Sequence, residues 1–312
     1  MKAVGITQFG GPDALHIVDL PDPEAGPGEV RIRVHAAAVN PTDAGLRGGA
    51  RAEQLKEIPP PYVPGMDAAG VLDQIGPGVT TDLRVGDHVL AIVVPHGSHG
   101  AYAEFVAVPA ESVARVPAHA TDAEAATLPM NGLTARQALD RLGLQPGQTL
   151  AVTGAAGAVG GYAIQLGQAD GLRVVADASE ADEQLVKDLG ANFVVRRGPE
   201  FAERVRDVLP GGADGLVDSA LLNELAVPAV RDAGAVATLR GWRGESVRGI
   251  TFYPVMVRTY AREQGKLDRL RQQAEAGQLT LRVARTLPAE RAAEAHRMLA
   301  AGGTRGRIVL EF

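Results

Sequence analysis

Leu150-Ala151-Val152-Thr153-Gly154-Ala155-Ala156-Gly157-Ala158-Val159-Gly160-Gly161 is the stretch whose reading decides the fold. Its first four residues form a short apolar run of the kind that fills a buried strand, and the small residues after it lead into a helical pattern over 158–170. A strand that feeds a helix through small residues lets backbone N–H groups approach a pyrophosphate at the helix N-terminus, where the helix dipole is positive. Gly157 allows the close approach and Gly160 the tight helix–strand packing, whereas a strict dinucleotide fingerprint has glycine at 155, where this chain has Ala155. Taken alone, these residues also fit a tightly packed strand–helix turn with no ligand.

Downstream, strand candidates at 173–176, 193–196, 215–218 and 235–239 alternate with helical segments at 182–189, 201–209 and 223–232. Such alternation predicts a parallel sheet covered by helices on both faces. The second strand ends at Asp177, at the spacing of roughly 20 residues where a carboxylate accepts hydrogen bonds from an adenosine ribose and repels a 2′-phosphate. The same carboxylate would also suit the N-terminus of the following helix. Ser179, Arg196 and Arg197 are the nearby groups that would serve a phosphate, so these residues leave NADH and NADPH both open.

Upstream the rhythm is different. Val30, Ile32 and Val34 alternate with Arg31, Arg33 and His35, the period of a half-buried strand, and short apolar runs follow at 70–75, 88–94 and 101–108 between glycine- and proline-rich turns. An alanine-rich helical pattern covers 122–142. After Thr251 the expectation is a long amphipathic helix over about 253–276, a strand at 281–285, a helix at 288–301 and a last strand at 307–312. The fold class is therefore α/β: a β-rich domain over 1–121, a Rossmann-type doubly wound domain over 122–250, and a segment, 251–312, that returns to the first domain.

Composition narrows the function classes. The 312 residues are 46% hydrophobic and 22% charged, which is the make-up of a globular protein rather than a disordered one. There is no cysteine, which removes disulfides, iron–sulfur clusters, cysteine-type zinc sites and thiol nucleophiles, and is compatible with the cytosol. A net charge of −6 argues against a general nucleic-acid or anionic-membrane surface. No run of 18 apolar residues is present and the chain starts directly on an ordered pattern, so a cytoplasmic protein is expected. His96 and His99 have the look of a metal pair but lack an evident third ligand, and no metal is expected there. Trp242, Phe252, Tyr253 and Tyr260 gather aromatic residues in a chain with only 4% of them, fitting either an apolar substrate pocket or an interface.

Further pieces in order along the chain are Val39-Asn40-Pro41-Thr42-Asp43 with Arg47-Gly48, Pro64-Gly65-Met66-Asp67-Ala68-Ala69-Gly70, Val85-Gly86-Asp87-His88-Val89, and Gly100-Ala101-Tyr102-Ala103-Glu104-Phe105. Ala295-His296 and Gly306-Arg307-Ile308-Val309-Leu310 follow near the end. With these, nearly the whole chain resembles the zinc-independent quinone oxidoreductase branch of the medium-chain dehydrogenase/reductases. The resemblance implies a GroES-like first domain, a Rossmann cofactor domain and a homodimer. Zinc-dependent relatives place a cysteine ligand where Asn40 stands and a histidine where Met66 stands, and neither replacement is a normal zinc ligand. Many relatives carry a tyrosine where this chain has Gly45, and its absence enlarges the pocket there and removes one side-chain acid.

The function this implies is NAD(P)H-dependent hydride transfer to an apolar quinone or similar conjugated carbonyl, with NADPH favoured on family grounds. The cofactor-binding residues would be Gly154, Ala155, Ala156, Gly157, Ala158, Val159, Asp177, Ser179, Arg197, Leu239 and Gly241, with Asp182 standing where relatives often have a basic residue. By the same resemblance Thr134 would lie near the nicotinamide, Asn40 would polarise the acceptor carbonyl, Asp43 would orient its loop and His296 would be structural. An enoyl reductase acting on an activated C=C, a non-catalytic cofactor-binding sensor and, more distantly, a Rossmann methyltransferase are the other readings.

Overall fold

The structure, a computed structural model, describes residues 1–245 and 247–312. Along the chain, strands β1 (Lys2–Gly5), β2 (His16–Asp19) and β3 (Glu29–Ala38) come first, then helices α1 (Pro41–Arg47) and α2 (Ala52–Leu55). Strands β4 (Asp67–Ile75), β5 (His88–Ile92), β6 (Phe105–Pro109) and β7 (Val113–Arg115) precede helices α3 (Asp122–Ala125) and α4 (Pro129–Leu142). The β/α part holds β8 (Thr149–Thr153), α5 (Ala158–Ala169), β9 (Arg173–Ala178), α6 (Glu183–Asp188), β10 (Phe193–Arg196), α7 (Phe201–Val208), β11 (Ala213–Asp218), β12 (Val230–Thr238) and β13 (Thr251–Pro254). Helix α8 (Gln264–Glu275), strand β14 (Val283–Pro288), helix α9 (Ala292–Ala301) and strand β15 (Arg307–Glu311) end it.

The chain divides into two compact units, one of Met1–Met130, Ala261–Glu275 and Leu281–Phe312, the other of Asn131–Tyr260 and Ala276–Thr280. In the first, a seven-stranded sheet runs β14-β15-β3-β4-β5-β7, with β6 also paired to β3. Alternation along β3 buries Val30, Ile32 and Val34, as its sequence pattern predicts, and these join a core with Leu72, Val89, Val106, Ile308 and Leu310. In the second unit a six-stranded all-parallel sheet runs β10-β9-β8-β11-β12-β13. That order reverses direction at β8, so a crevice opens beyond the carboxyl ends of β8 and β11, the position where open α/β sheets bind ligands.

Four sequence expectations need correction, and proline is involved in most of them. The 122–142 pattern is two helices, because Pro129 has no N–H to give and disfavours helix in Leu128. The helix expected at 223–232 is a pair of 3₁₀ turns, Asn223–Leu225 and Val227–Ala229, succeeded at once by β12. Pro228 and the positive φ of Asn223 forbid a continuous helix there. The long helix over 253–276 is instead β13, a 3₁₀ turn at Val257–Tyr260, and α8; the Thr251-Phe252-Tyr253 run pairs in parallel with Ala235–Thr238 and ends at Pro254. Finally, 101–104 is not strand, since the N–H groups of Ala101 and Tyr102 donate to the carbonyls of Gly65 and Pro64. Among the described residues no helix is long and apolar enough to cross a membrane.

Candidate active site

In the first unit, two buried carboxylates and their partners occupy the loop after β3 and the start of β4. Asn40 is the N-cap of α1; its N–H donates to the Asp43 carboxylate at 2.8 Å, one leg of a capping box, and Pro41 suits the first helical position. Asp43 also accepts the Gly65 N–H and the Tyr102 hydroxyl, each at 3.1 Å. Asp67 is completely buried and accepts the Met130 N–H and the Asn40 side-chain amide, both at 2.6 Å. The Asn40 amide nitrogen donates to the Ala38 carbonyl as well, so both its hydrogens are used inside the fold, where the sequence suggested a donor to a substrate carbonyl.

Desolvation governs the charge state of this cluster. Burial pushes Asp43 up to about 6 and Asp67 up to about 7, against the hydrogen bonds they accept and the nearby Arg307 guanidinium, which favour the ionised forms. The Asp43 charge adds to the upward shift at Asp67. Tyr102, fully buried, reaches both Asp43 and Nε2 of His296, the latter at 3.3 Å. With the single phenol proton given to Asp43, Nε2–H of His296 is the donor to the phenol oxygen. Burial and the Arg47 charge hold His296 down to about 4, so the imidazole is neutral at pH 7. Sequence reasoning treated Asp67, Tyr102 and His296 as separate motif members; the fold makes them one hydrogen-bonded group.

In the second unit, the turn from β8 to α5 is built for close approach. Gly154 has φ of +63°, and a Cβ on Gly160 would lie 2.3 Å from the Gly154 carbonyl oxygen, so the helix can start this near the strand only with glycine at 160. The N-cap of α5 is Gly157, which has no side chain of its own to cap the helix, and residues 156–159 around the helix start are partly exposed. The first turn of a twelve-residue helix carries N–H groups with no intrahelical acceptor, the arrangement that suits a dinucleotide pyrophosphate. Ala155, at the position of the missing glycine, is buried, and its N–H donates to Asp177 at 3.0 Å.

Asp177 is therefore tied to the glycine turn, and burial raises its pKa while the Ala155 and Gly154 backbone bonds and the charge of Arg197 oppose the shift. Ser179 donates its hydroxyl to Asp182 at 2.5 Å. Arg196 pairs with Glu180 at 3.0 Å, whereas exposed Arg197 makes no ion pair among the described residues. Leu239 and Gly241 lie in the turn just after β12, closed by the Thr238 hydroxyl donating to the Trp242 carbonyl at 2.6 Å. Thr134 is on α4 and nearly buried. The four aromatic residues are not one cluster: Trp242 and Phe252 stack edge-to-face against the core of this unit, while Tyr260 donates to Asp140.

Comparison with known proteins fits both units. Residues 26–118 match the family described as alcohol dehydrogenase GroES-like domain, and 177–310 match that described as zinc-binding dehydrogenase. A 2-methylene-furan-3-one reductase of Solanum lycopersicum and an NADPH-dependent alkenal/one oxidoreductase of Arabidopsis thaliana are each 33% identical over 77% of the chain, but the match spans only 62% and 63% of their own lengths. A 2-haloacrylate reductase of Burkholderia sp is 31% identical over 99% of the chain and 98% of its own. The chain belongs to the medium-chain dehydrogenase/reductase superfamily. Among solved structures of that superfamily's fold, an NAD-dependent alcohol dehydrogenase superposes with a TM-score of 0.88 at 32% identity over the whole of both chains. The quinone oxidoreductase of Coxiella burnetii does so at 0.87 and 26%, over 100% of this chain and 99% of its own. Quinone oxidoreductases stand both among its relatives and among its structural neighbours.

The residues at the positions where the resemblance places a zinc site do not suit that metal. The side chains at and beside the ligand positions are Asn40, Met66 and Asp67: an amide whose hydrogens are both engaged, a thioether, and a carboxylate already holding two donors at 2.6 Å. Zinc takes thiolate, imidazole or carboxylate ligands, and this set supplies one of the usual three or four.

Proposed function

We propose that the chain is an NAD(P)H-dependent, zinc-independent reductase that delivers hydride to a quinone or similar conjugated carbonyl compound. The observation that carries this reading is the glycine-built turn into the N-terminus of α5 at the carboxyl end of β8, in a parallel sheet whose order reverses there. A bound reduced nicotinamide supplies the hydride; the protein binds, orients and excludes water. Backbone N–H groups of Ala158 and Val159 in the first turn of α5 hold the pyrophosphate, the turn at Leu239–Gly241 and Thr134 hold the nicotinamide end, and Asn40 and Asp43 act as positioning residues on the substrate side. Engagement of both Asn40 amide hydrogens and the burial of Asp43 and Asp67 support water as the source of the acceptor's proton.

NADPH is the preferred form in this reading. Glu180 already neutralises Arg196, and Arg197 is left beside Asp177 at the ends of the adjacent strands β10 and β9, suited to a 2′-phosphate. The NADPH-dependent relative from Arabidopsis points the same way. A second reading, reduction of an activated C=C, draws on the full-length likeness to a 2-haloacrylate reductase. The test is a paired titration of NADPH and NADH, monitored by cofactor absorbance with 9,10-phenanthrenequinone and then with a 2-alkenal. Turnover of the quinone with NADPH preferred is expected. Turnover of the alkenal alone favours the second reading, binding without oxidation favours a sensor, and failure to bind either dinucleotide refutes the proposal.

A further inference from the structure

On the sheet of the first unit, His35, His88 and Asp122 come together from three separate places in the sequence. The Asp122 carboxylate receives Nδ1 of His35 at 2.8 Å on one oxygen and Nδ1 of His88 at 2.9 Å on the other, and one donor atom from each residue lies within 4.8 Å of the other two. It is the only such group of three among the described residues. His96 and His99, the pair that stands out in the sequence, merely close a tight turn through their backbones.

The backbone is shaped around this trio. In the β3–β4 ladder Val34 pairs with Gly70 and Ala36 with Ala69, so His35 is the extra residue of a β-bulge, a device that re-aims a side chain. A Cβ at Gly70 would stand 2.0 Å from the Arg33 carbonyl oxygen and 2.9 Å from the His35 nitrogen, so the bulge can lie this close to β4 only over glycine. His88 starts β5 on the other side of β4, paired with Val71. Asp122 is the first residue of α3, held by the capping box in which Thr121 and Glu124 exchange hydrogen bonds.

We propose that His35, His88 and Asp122 form a binding site for a zinc-type divalent cation, separate from the buried carboxylate cluster. Two imidazoles and one carboxylate are a usual three-residue zinc set, with water in the fourth position. The ligand atoms around zinc sit roughly 3.4 Å apart, so the widest pair here closes by at most about 1.4 Å on binding. The half-exposed His88 side chain leaves the water position open to solvent. The ion would replace the two Nδ1 protons shared with Asp122 and clip the start of α3 to β3 and β5.

The test is ZnCl₂ titration of the full chain by calorimetry, with Co²⁺ absorption as a second readout. One Zn²⁺ per chain is expected, with affinity reduced at least about tenfold in His35→Gln/His88→Gln and unchanged in His96→Gln/His99→Gln. Apo far-UV circular dichroism of each variant checks that it folds; if the double variant does not, Asp122→Asn, which keeps an acceptor at the helix start, is expected to show the same tenfold loss. No binding up to about 1 mM Zn²⁺, or binding that survives the His35/His88 change, overturns the site.

Discussion

Replacing Asp67 with asparagine should flatten the pH dependence of folding stability. In the folded chain this carboxyl is wholly buried and keeps its proton up to about pH 7, whereas the ordinary value is 3.8. Between those two values the folded state holds one more proton than the unfolded state, so stability falls as pH rises, by about 1.4 kcal/mol per pH unit from this group. The loss is absent below pH 3.8, where both states are protonated, and reaches on the order of 4 kcal/mol above pH 8, where both are ionised. Asparagine has no charge to desolvate and can still accept the Met130 N–H. The unfolding free energy of Asp67→Asn minus that of the wild type should therefore rise by about 2–3 kcal/mol from pH 5 to pH 7 and level off near pH 8. Asp43, raised to about 6, remains in both proteins and largely drops out of the difference. Urea denaturation at each pH measures it, monitored by far-UV circular dichroism, because the single tryptophan, Trp242, belongs to the other unit. Parallel stability curves for the two proteins across pH 5–8 would show that Asp67 ionises in the fold as it does in water, and the desolvation argument would be wrong.

Gly160→Ala places a methyl 2.3 Å from a backbone oxygen, so α5 must shift; dinucleotide affinity should drop at least about tenfold and stability by about 1–3 kcal/mol, read by fluorescence titration and thermal unfolding. Arg197→Ala should raise KM for NADPH about tenfold and leave NADH nearly unchanged, while Arg196→Ala, whose partner is Glu180, should alter neither by more than about twofold. Tyr102→Phe removes the hydroxyl that joins Asp43 to His296 and should cost about 1–3 kcal/mol of stability in chemical denaturation.

Local pattern was enough for much of this molecule. The alternation from Val30 to Val34 and the apolar run into Gly154 carry their own periods, and each became the strand expected of it. The expectations that failed lie where residue preference and local order point different ways. Ala226 and Leu225 favour helix, yet Pro228 stops it, and pairing with the neighbouring β11 and β13 makes a strand of Val230–Thr238. The Thr251–Pro254 segment reads as the start of an amphipathic helix until β12 is beside it.

The candidate site divides in the same way. The strand–turn–helix around residues 154–160 and the place of Asp177 at the end of the next strand were legible because the spacing that matters is short and each step of it is local, whereas Asn40 and Asp43 drew notice only through the resemblance. That Asp177 bonds back to Ala155, that Asn40 spends its amide on Asp67, and that Tyr102 bridges Asp43 and His296 were not, because those partners lie 22, 27 and as many as 194 residues apart. Sequence by itself determined the order of elements, the backbone needed at Gly160 and the lack of a thiol. Only the tertiary structure decided which carboxylates lose their water and keep their protons, and which histidines meet, because burial and long-range pairing are properties of the packed chain.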